Sequence, residues 1–173
     1  MKETKLKIVT WPNKILRKKC KKVENINEDI IRIFNEMYKV MVSSKGIGLA
    51  ANQVGLDLSL IIIEFENKIF KLVNPKIIKK EGRIRFREGC LSFPNIELDI
   101  NRAKKVWVEA LDEHGNELNL ELENTLAVVF QHEIDHINGI TFIYRVPFFK
   151  RLKVLFKLKK MLKNGLLKQE KES

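Results

Sequence analysis

The chain has 173 residues and a formal net charge of +11. A chain of this length fits one domain that buries roughly 70% of its unfolded surface. Hydrophobic residues make up 45% and charged residues 32% of the chain, a balance that excludes a disordered protein. No apolar run approaches the ~20 residues of a membrane-spanning helix, and residues 1–10 lack the apolar stretch of a secretory signal. We therefore expect one cytoplasmic domain over residues 1–173.

Apolar spacing predicts the first elements along the chain. Apolar residues recur at helical spacing over residues 27–42, which predicts an amphipathic helix. Stretches 58–65 and 68–73 are rich in branched apolar residues and predict a hairpin. Stretches 105–111 and 117–122 predict a second hairpin around a polar turn.

The second half of the chain favours helices. A helix is predicted from about Thr125, with Asn124 or Thr125 as its N-cap and Gly139 at its end. Residues 140–144 predict a short strand, and Pro147 can open a last helix because its missing N–H is no loss in a first turn. The elements do not alternate regularly, so we expect the α+β class. Mixed or antiparallel sheets would then surround the central helix, with an amphipathic helix at the C-terminus.

Residues 132–136 have the sequence His-Glu-Ile-Asp-His. His132 and His136 lie four residues apart on one face of the predicted helix, where both can bind one ion. Glu133 lies close enough to reach a water at that ion, as in the H-E-x-x-H arrangement of metal hydrolases. The alternative is a surface helix whose histidines pair with carboxylates. We disfavour it because two of the three histidines in the chain belong to the motif.

A catalytic tetrahedral ion needs a third protein ligand and an open position. A third histidine six residues after the second is excluded, since that position is Phe142. A downstream glutamate is disfavoured, because residues 137–169 contain no Asp or Glu. Cys90 is therefore the strongest candidate, whereas Cys20 is better interpreted as a small buried hydrophobe. We expect Gly89 to let the backbone beside Cys90 approach the helix closely.

Three motifs together resemble the peptide deformylase family over nearly the whole chain. Residues 46–53 are Gly-Ile-Gly-Leu-Ala-Ala-Asn-Gln, residues 88–92 are Glu-Gly-Cys-Leu-Ser, and residues 131–136 are Gln-His-Glu-Ile-Asp-His. Residues 11–17 also resemble the N-terminal region of the family. The resemblance implies a hydrolase that removes the formyl group from the N-terminal formyl-methionine of nascent polypeptides and releases formate.

The resemblance also implies catalytic roles. Glu133 would take a proton from the attacking water and deliver it to the leaving amine. The Gln53 side chain and the Leu91 N–H would stabilise the oxyanion. The metal ligands would be Cys90, His132 and His136.

An apolar pocket for the methionine side chain is a further implication of the resemblance. Arg102 would pair with Glu88 and shape this pocket. Glu97 stands where some relatives carry an arginine near the downstream residues of the substrate, so preference there stays open. The pocket positions would be Ile47, Gly48, Phe86, Glu88, Gly89, Thr125, Val128 and Val129.

The metal and the class of protein leave alternatives. One Cys and two His suit zinc, but the family usually works with ferrous iron and accepts nickel, cobalt or zinc, so we expect Fe²⁺. A zinc endopeptidase would share the histidine helix but need a different third ligand. A basic RNA- or ribosome-binding protein with an incidental histidine motif is the alternative from another class.

The C-terminal region 147–173 is strongly basic. Residues 150–173 hold nine Lys and Arg against two Glu, a net charge of +7. Such a helix can dock on its own domain, lie on an anionic membrane or bind ribosomal RNA. The resemblance favours the ribosome, since deformylases of this form reach it with a C-terminal helix. The apolar stripe of the helix is expected at Phe148, Leu152, Leu155, Phe156, Leu158 and Leu162.

Overall fold

A computed structural model gives the fold and describes residues 6–167. Within that range the chain forms seven β-strands and three α-helices. The helices are α1 (Glu28–Ser43), α2 (Asn124–Ile137) and α3 (Phe148–Lys163). The strands are β1 (Gly48–Ala50), β2 (Leu60–Phe65), β3 (Lys68–Glu81), β4 (Ile84–Gly89), β5 (Glu97–Arg102), β6 (Lys105–Leu111) and β7 (Glu117–Glu123).

The strands form two antiparallel sheets, which confirms the α+β class. The larger sheet has the order β1-β2-β3-β6-β7, and β4 pairs with β5 in a two-stranded sheet. Both predicted hairpins are present in the larger sheet. At the turn between β2 and β3, Glu66 and Asn67 have φ of 49° and 63°, as a type I′ turn requires.

The larger sheet is covered on both faces by helices. Side chains of successive residues in a strand point to opposite faces. Leu60 and Ile62 of β2 accordingly pack in the cluster that contains the apolar face of α1. Ile61 and Ile63 pack in the cluster that contains Phe130 and other apolar residues of α2. The alternation of side chains along β2 therefore gives each helix its own face of the sheet, with α1 on one face and α2 on the other.

Helix α2 begins differently from the prediction and ends as predicted. Its N-cap residue is Glu123, which makes no side-chain capping hydrogen bond, so the expected cap at Asn124 or Thr125 is wrong. The Asn124 N–H instead donates to the Lys104 carbonyl at 2.8 Å, which ties the helix to the turn before β6. Gly139 follows the helix with a φ of 73°.

The strand expected at residues 140–144 is wrong. A short 3-10 helix, Phe142–Arg145, occupies most of this segment. Phe142 and Ile143 are both buried in the cluster beside the smaller sheet. Two consecutive side chains that enter the same core are incompatible with a strand, which would send them to opposite faces.

Helix α3 docks on the smaller sheet through a face that overlaps the predicted stripe only in part, since Leu155 and Leu162 of the stripe also pack against this cluster. Its buried residues are Val154, Leu158 and Met161, of which only Leu158 was predicted. Phe148 and Phe156 are exposed. The last residues of the predicted tail, 168–173, lie outside the described residues. In the described part of the chain, no helix is long and apolar enough to cross a membrane.

We predict that Gly139→Ala destabilises the protein more than Gly55→Ala. Both glycines have positive φ, 73° and 83°, where an alanine costs about 1–2 kcal/mol. A Cβ at Gly139 would also lie 2.7 Å from the Arg17 carbonyl oxygen, whereas the nearest atom at Gly55 is 3.7 Å away. Urea unfolding should show a further loss of roughly 1 kcal/mol or more at Gly139. Equal losses of unfolding free energy in the two variants would contradict this prediction, because they would show that the backbone near Arg17 shifts at no measurable cost.

Candidate metal centre

The candidate site lies between the two sheets, with α2 supplying most of its polar groups. His132, Glu133 and His136 are buried on this helix. Cys90 directly follows β4 of the smaller sheet. Gln53 comes from the short 3-10 helix Ala51–Val54, which follows β1 of the larger sheet. Residues that are far apart in the chain thus meet on one face of α2.

The three predicted ligands meet with a spacing that suits one ion. Cys90 Sγ lies 3.2 Å from His136 Nε2, and His136 Nε2 lies 3.2 Å from His132 Nε2. All three donor atoms lie within 4.8 Å of one another. Metal–nitrogen distances of about 2.0–2.1 Å and metal–sulfur distances of about 2.3 Å set tetrahedral ligands roughly 3.3–3.6 Å apart. The donor set therefore fits a divalent metal ion.

Glu88 orients the first histidine ligand. Its carboxylate lies 2.8 Å from His132 Nδ1, and Arg102 donates to both of its oxygens at 2.7 and 2.9 Å. Burial opposes the charged form of Glu88, but the hydrogen bonds from Arg102 and His132 lower its pKa to about 2. With Nδ1–H donated to a carboxylate, His132 presents Nε2 to the ligand cluster. The expected pairing of Arg102 with Glu88 is present.

The two histidines have opposite electrostatic environments. Burial lowers the pKa of His136 well below its usual value, which keeps this imidazole in the neutral form that ligates metals. For His132, burial has the same tendency, but the neighbouring Cys90 and Glu88 raise the pKa well above its usual value. The Nδ1 atom of His136 is buried and has no protein partner among residues 6–167.

Glu133 is a buried carboxylate that faces the site. It is 4% exposed, and its Oε2 atom has no hydrogen-bond partner in the described part of the chain. Burial raises the pKa of Glu133 to about 7. A Cβ at Gly48 would lie 2.4 Å from Glu133 Oε1, so only a glycine leaves room for the carboxylate there. Glu133 therefore sits beside the ligands with a free oxygen and a shifted proton affinity.

The Gln53 side chain and the Leu91 N–H, which are expected to stabilise an oxyanion, lie beside the ligand cluster. Gln53 Oε1 accepts from the Ala50 N–H at 2.9 Å, which directs Nε2 towards Cys90 Sγ and Ser92 Oγ at 3.5 and 3.3 Å. Leu91 follows the cysteine ligand, and its N–H donates to no acceptor in residues 6–167. Both donors thus lie next to the ligand cluster.

A cavity of about 460 Å³ opens onto the site. Seven of the eight predicted pocket positions line it, and Thr125 at the start of α2 does not. The reason expected for Gly89 is wrong, because the nearest atoms to a Cβ there are 3.9 Å away, an ordinary contact. Cavity-lining residues that the sequence did not single out include Lys45, Arg87, Phe93, Asn95 and Ile96.

Asp135 and Arg145 were missed by the sequence analysis. Asp135 lies within the histidine motif, and its carboxylate accepts hydrogen bonds from Arg102 and Arg145. The H-E-x-x-H motif leaves the residue at its position open. No pattern in the sequence indicates that Arg102 or Arg145 would pair with it. The presence of a carboxylate between two predicted ligands on a buried helix could still have indicated a cationic partner, because a buried charge requires one.

The fold and the site together define a metallohydrolase. Three donor atoms fit one divalent ion, and the adjacent Glu133 can accept and release a proton.

Comparison with known proteins narrows this class. A sequence model described as polypeptide deformylase matches residues 5–152. A peptide deformylase of Aquifex aeolicus is 42% identical over 91% of this chain and 96% of its own length. One from Syntrophomonas wolfei is 45% identical over 79% of this chain and 90% of its own. The crystal structure of a peptide deformylase from Legionella pneumophila matches with a TM-score of 0.85 at 37% identity, covering 94% of this chain and 98% of that one.

The chain belongs to the polypeptide deformylase family. It is an enzyme, a metallohydrolase of that family, as the three motifs predict. The Cys-His-His site is consistent with this membership.

We predict that Cys90→Ser strongly weakens metal binding, whereas Cys20→Ser leaves it nearly unchanged. Serine replaces a thiolate ligand at Cys90. Cys20 packs in the core, and burial and the charge of Asp57 raise its pKa to about 11, so it stays a thiol. Metal content after dialysis, measured on both variants and the wild type, checks this. A greater loss of metal in Cys20→Ser than in Cys90→Ser would make Cys20 the ligand instead.

Proposed function

We propose that the chain hydrolyses the N-formyl group of formyl-methionine at the start of nascent polypeptides and releases formate. The observation that carries this proposal is the buried Glu133 carboxylate, with one unpartnered oxygen, beside the Cys-His-His cluster at the cavity. The zinc endopeptidase alternative needs a different third ligand. In residues 6–167 the donor that meets both histidines is Cys90.

Backbone edges on both sides of the cavity suit an extended peptide. Strand β1 is an edge strand of the larger sheet, and β4 has one unpaired edge in the smaller sheet. Gly46, Gly48 and Gly89 from these regions line the cavity, so the backbone is accessible there. A peptide can bind such edges through main-chain hydrogen bonds, with side chains entering adjacent pockets.

The proposed methionine pocket is the apolar part of the same cavity. Its wall includes Ile47 before β1, Phe86 on β4, and Val128 and Val129 on α2. Apolar surface around an unbranched side chain favours methionine over polar residues. Val129 also packs in the core beneath α2, so it serves both the fold and the pocket.

The chemistry divides between the ion and the chain. A divalent ion held by Cys90, His132 and His136 would supply an acidified water and a polarised carbonyl. Glu133 takes the proton from the attacking water as the oxygen of that water forms a bond to the formyl carbon. Gln53 Nε2 and the Leu91 N–H donate to the oxygen that gains negative charge. The carbon–nitrogen bond then breaks, and Glu133 gives its proton to the leaving amine, so that formate and a free amine result.

We propose Fe²⁺ as the ion in the cell. The donor set itself suits several divalent metals, including zinc, nickel and cobalt. Family resemblance is what favours iron. Metal analysis of protein purified without air, joined to a formate-release assay on a formyl-methionyl peptide, tests both the metal and the activity. Active protein that carries stoichiometric zinc and no iron would contradict the choice of iron.

We predict that Glu133→Ala keeps the metal and lowers formate release by at least about 10²–10⁴-fold, the usual contribution of a general base. The free oxygen of Glu133 is not among the three clustered donor atoms. Metal content and turnover are measured on the same samples. Glu24→Ala, which changes an exposed glutamate, is the matched control and should keep both. Loss of stoichiometric metal in Glu133→Ala would make Glu133 a ligand.

We propose further that the basic helix α3 brings the enzyme to the ribosome in the cytoplasm, where nascent substrate emerges. Lys153, Lys159, Lys160 and Lys163 are exposed on α3. The helix lies near the cavity, since Lys157 Nζ donates to the carbonyl of Asn95, a residue of the cavity wall. Exposed lysines can neutralise the phosphates of ribosomal RNA.

Deleting α3 would not test this proposal cleanly, because Val154, Leu158 and Met161 belong to the core. We predict instead that changing Lys153, Lys159, Lys160 and Lys163 to glutamine sharply lowers cosedimentation with ribosomes at low salt and flattens its salt dependence. Activity on short formyl-methionyl peptides should persist.

The matched control changes four exposed lysines elsewhere, which removes the same total charge. If the two quadruple variants lose ribosome binding equally, the effect is one of net charge and α3 is not the contact. Capture of the wild type by anionic vesicles, without cosedimentation with ribosomes, would assign the helix to a membrane surface instead. The control lysines, all exposed, are Lys19, Lys22, Lys80 and Lys104.

A further inference from the structure

A chain of alternating charges leads from the C-terminal segment to the first histidine ligand. Arg145, in the 3-10 helix before α3, donates to both oxygens of Asp135. Asp135 also accepts from Arg102, and Arg102 donates to both oxygens of Glu88. Glu88 in turn pairs with His132 Nδ1. Every charged side chain in this series except Arg145 therefore has a partner on both sides.

The inner members of this chain are withdrawn from water. The side chains of Arg102, Glu88 and Asp135 are 3%, 4% and 11% exposed. Buried charges of this kind depend on their partners, and removing one partner leaves an uncompensated charge. Arg145, 35% exposed, is the member through which the chain reaches the surface.

Arg102 divides its guanidinium between two carboxylates. Its Nε and Nη2 atoms serve Glu88, and its Nη1 atom serves Asp135. Without Arg145, the buried Asp135 carboxylate would retain Arg102 as its only ionic partner among the described residues. Asp135 would then compete with Glu88 for the same guanidinium.

We propose that Arg145 is a positioning residue for the metal centre. By holding Asp135 from the far side, it leaves Arg102 aligned on Glu88, and Glu88 then fixes the ring of His132. The inference rests on the proposed metal site, and Arg145 itself touches neither ligand nor substrate. The segment from Asp135 to Arg145 thereby links the ligand helix to the docked C-terminal segment.

The test measures the affinity of the whole chain for Co²⁺ by competition with a chromophoric chelator, together with the visible absorption of the bound cobalt. Direct hydrogen-bond partners of metal ligands typically change affinity about 10–100-fold, so a residue three steps further out should change it about 3–10-fold. Arg145→Met should show that loss and an altered cobalt spectrum. Arg145→Lys should recover part of the affinity, since lysine keeps the charge but lacks the two-pronged contact.

Arg151→Met is the matched control, because Arg151 lies on α3 over the rings of Tyr144 and Phe148 and should leave cobalt affinity unchanged. Thermal unfolding of the metal-free proteins separates a structural role from positioning. If Arg145→Met lowers stability but binds Co²⁺ with wild-type affinity and spectrum, the proposal is wrong. Should Arg145→Met fail to fold, Arg145→Lys alone decides, since wild-type affinity in it would also overturn the proposal. Wild-type protein that fails to bind one Co²⁺ would instead refute the metal site itself.

Discussion

The burial of helix α2 between the two sheets is the constraint from which the site follows. Polar groups on a buried helix cost free energy unless each finds a partner. Gln131 meets the backbone of Ala103, His132 meets Glu88, and Asp135 meets two arginines. On this helix, the buried polar side-chain atoms that find no protein partner among residues 6–167 belong to Glu133 and His136. The unpartnered oxygen of Glu133 is therefore free to meet a water or a substrate, whereas His136 would bind the ion through Nε2.

The sequence predicted the helices and most strands of the larger sheet, but it missed both strands of the smaller sheet, β4 and β5. Helix α1 and the β6–β7 hairpin carry regular apolar spacing because one side of each packs in the core, whereas β2 shows a continuous apolar run because both of its faces are buried. Strand β4, Ile84–Gly89, was missed because most of its side chains lie in or near solvent and its order comes from pairing with β5. Strand β1, with three residues, is too short to show a period. On α3, apolar residues occur on both faces, so spacing alone could not tell the docked face from the exposed one.

Most of the site could be predicted because its chemistry requires particular residue types at fixed spacing. Two histidines four apart on a helix must share a face, and the lack of a downstream carboxylate indicated an upstream ligand. The pairing of Asp135 with Arg145 could not be predicted, because it depends on where the chain turns after Gly139. Residues 140–144 were expected to form a short strand. The observed 3-10 helix instead places Arg145 beside Asp135 of α2.

The ligands also explain why two sheets of unequal size form one functional unit. Cys90 and Glu88 belong to the smaller sheet and the turn after it, whereas Gly48 and Gln53 belong to the larger sheet and its adjoining 3-10 helix. Helix α2 supplies both histidines from between them. An ion held by Cys90 and α2 therefore joins the smaller sheet to the helix that packs on the larger one. Because unfolding separates these ligands, binding free energy at this site also favours the folded arrangement of the two sheets.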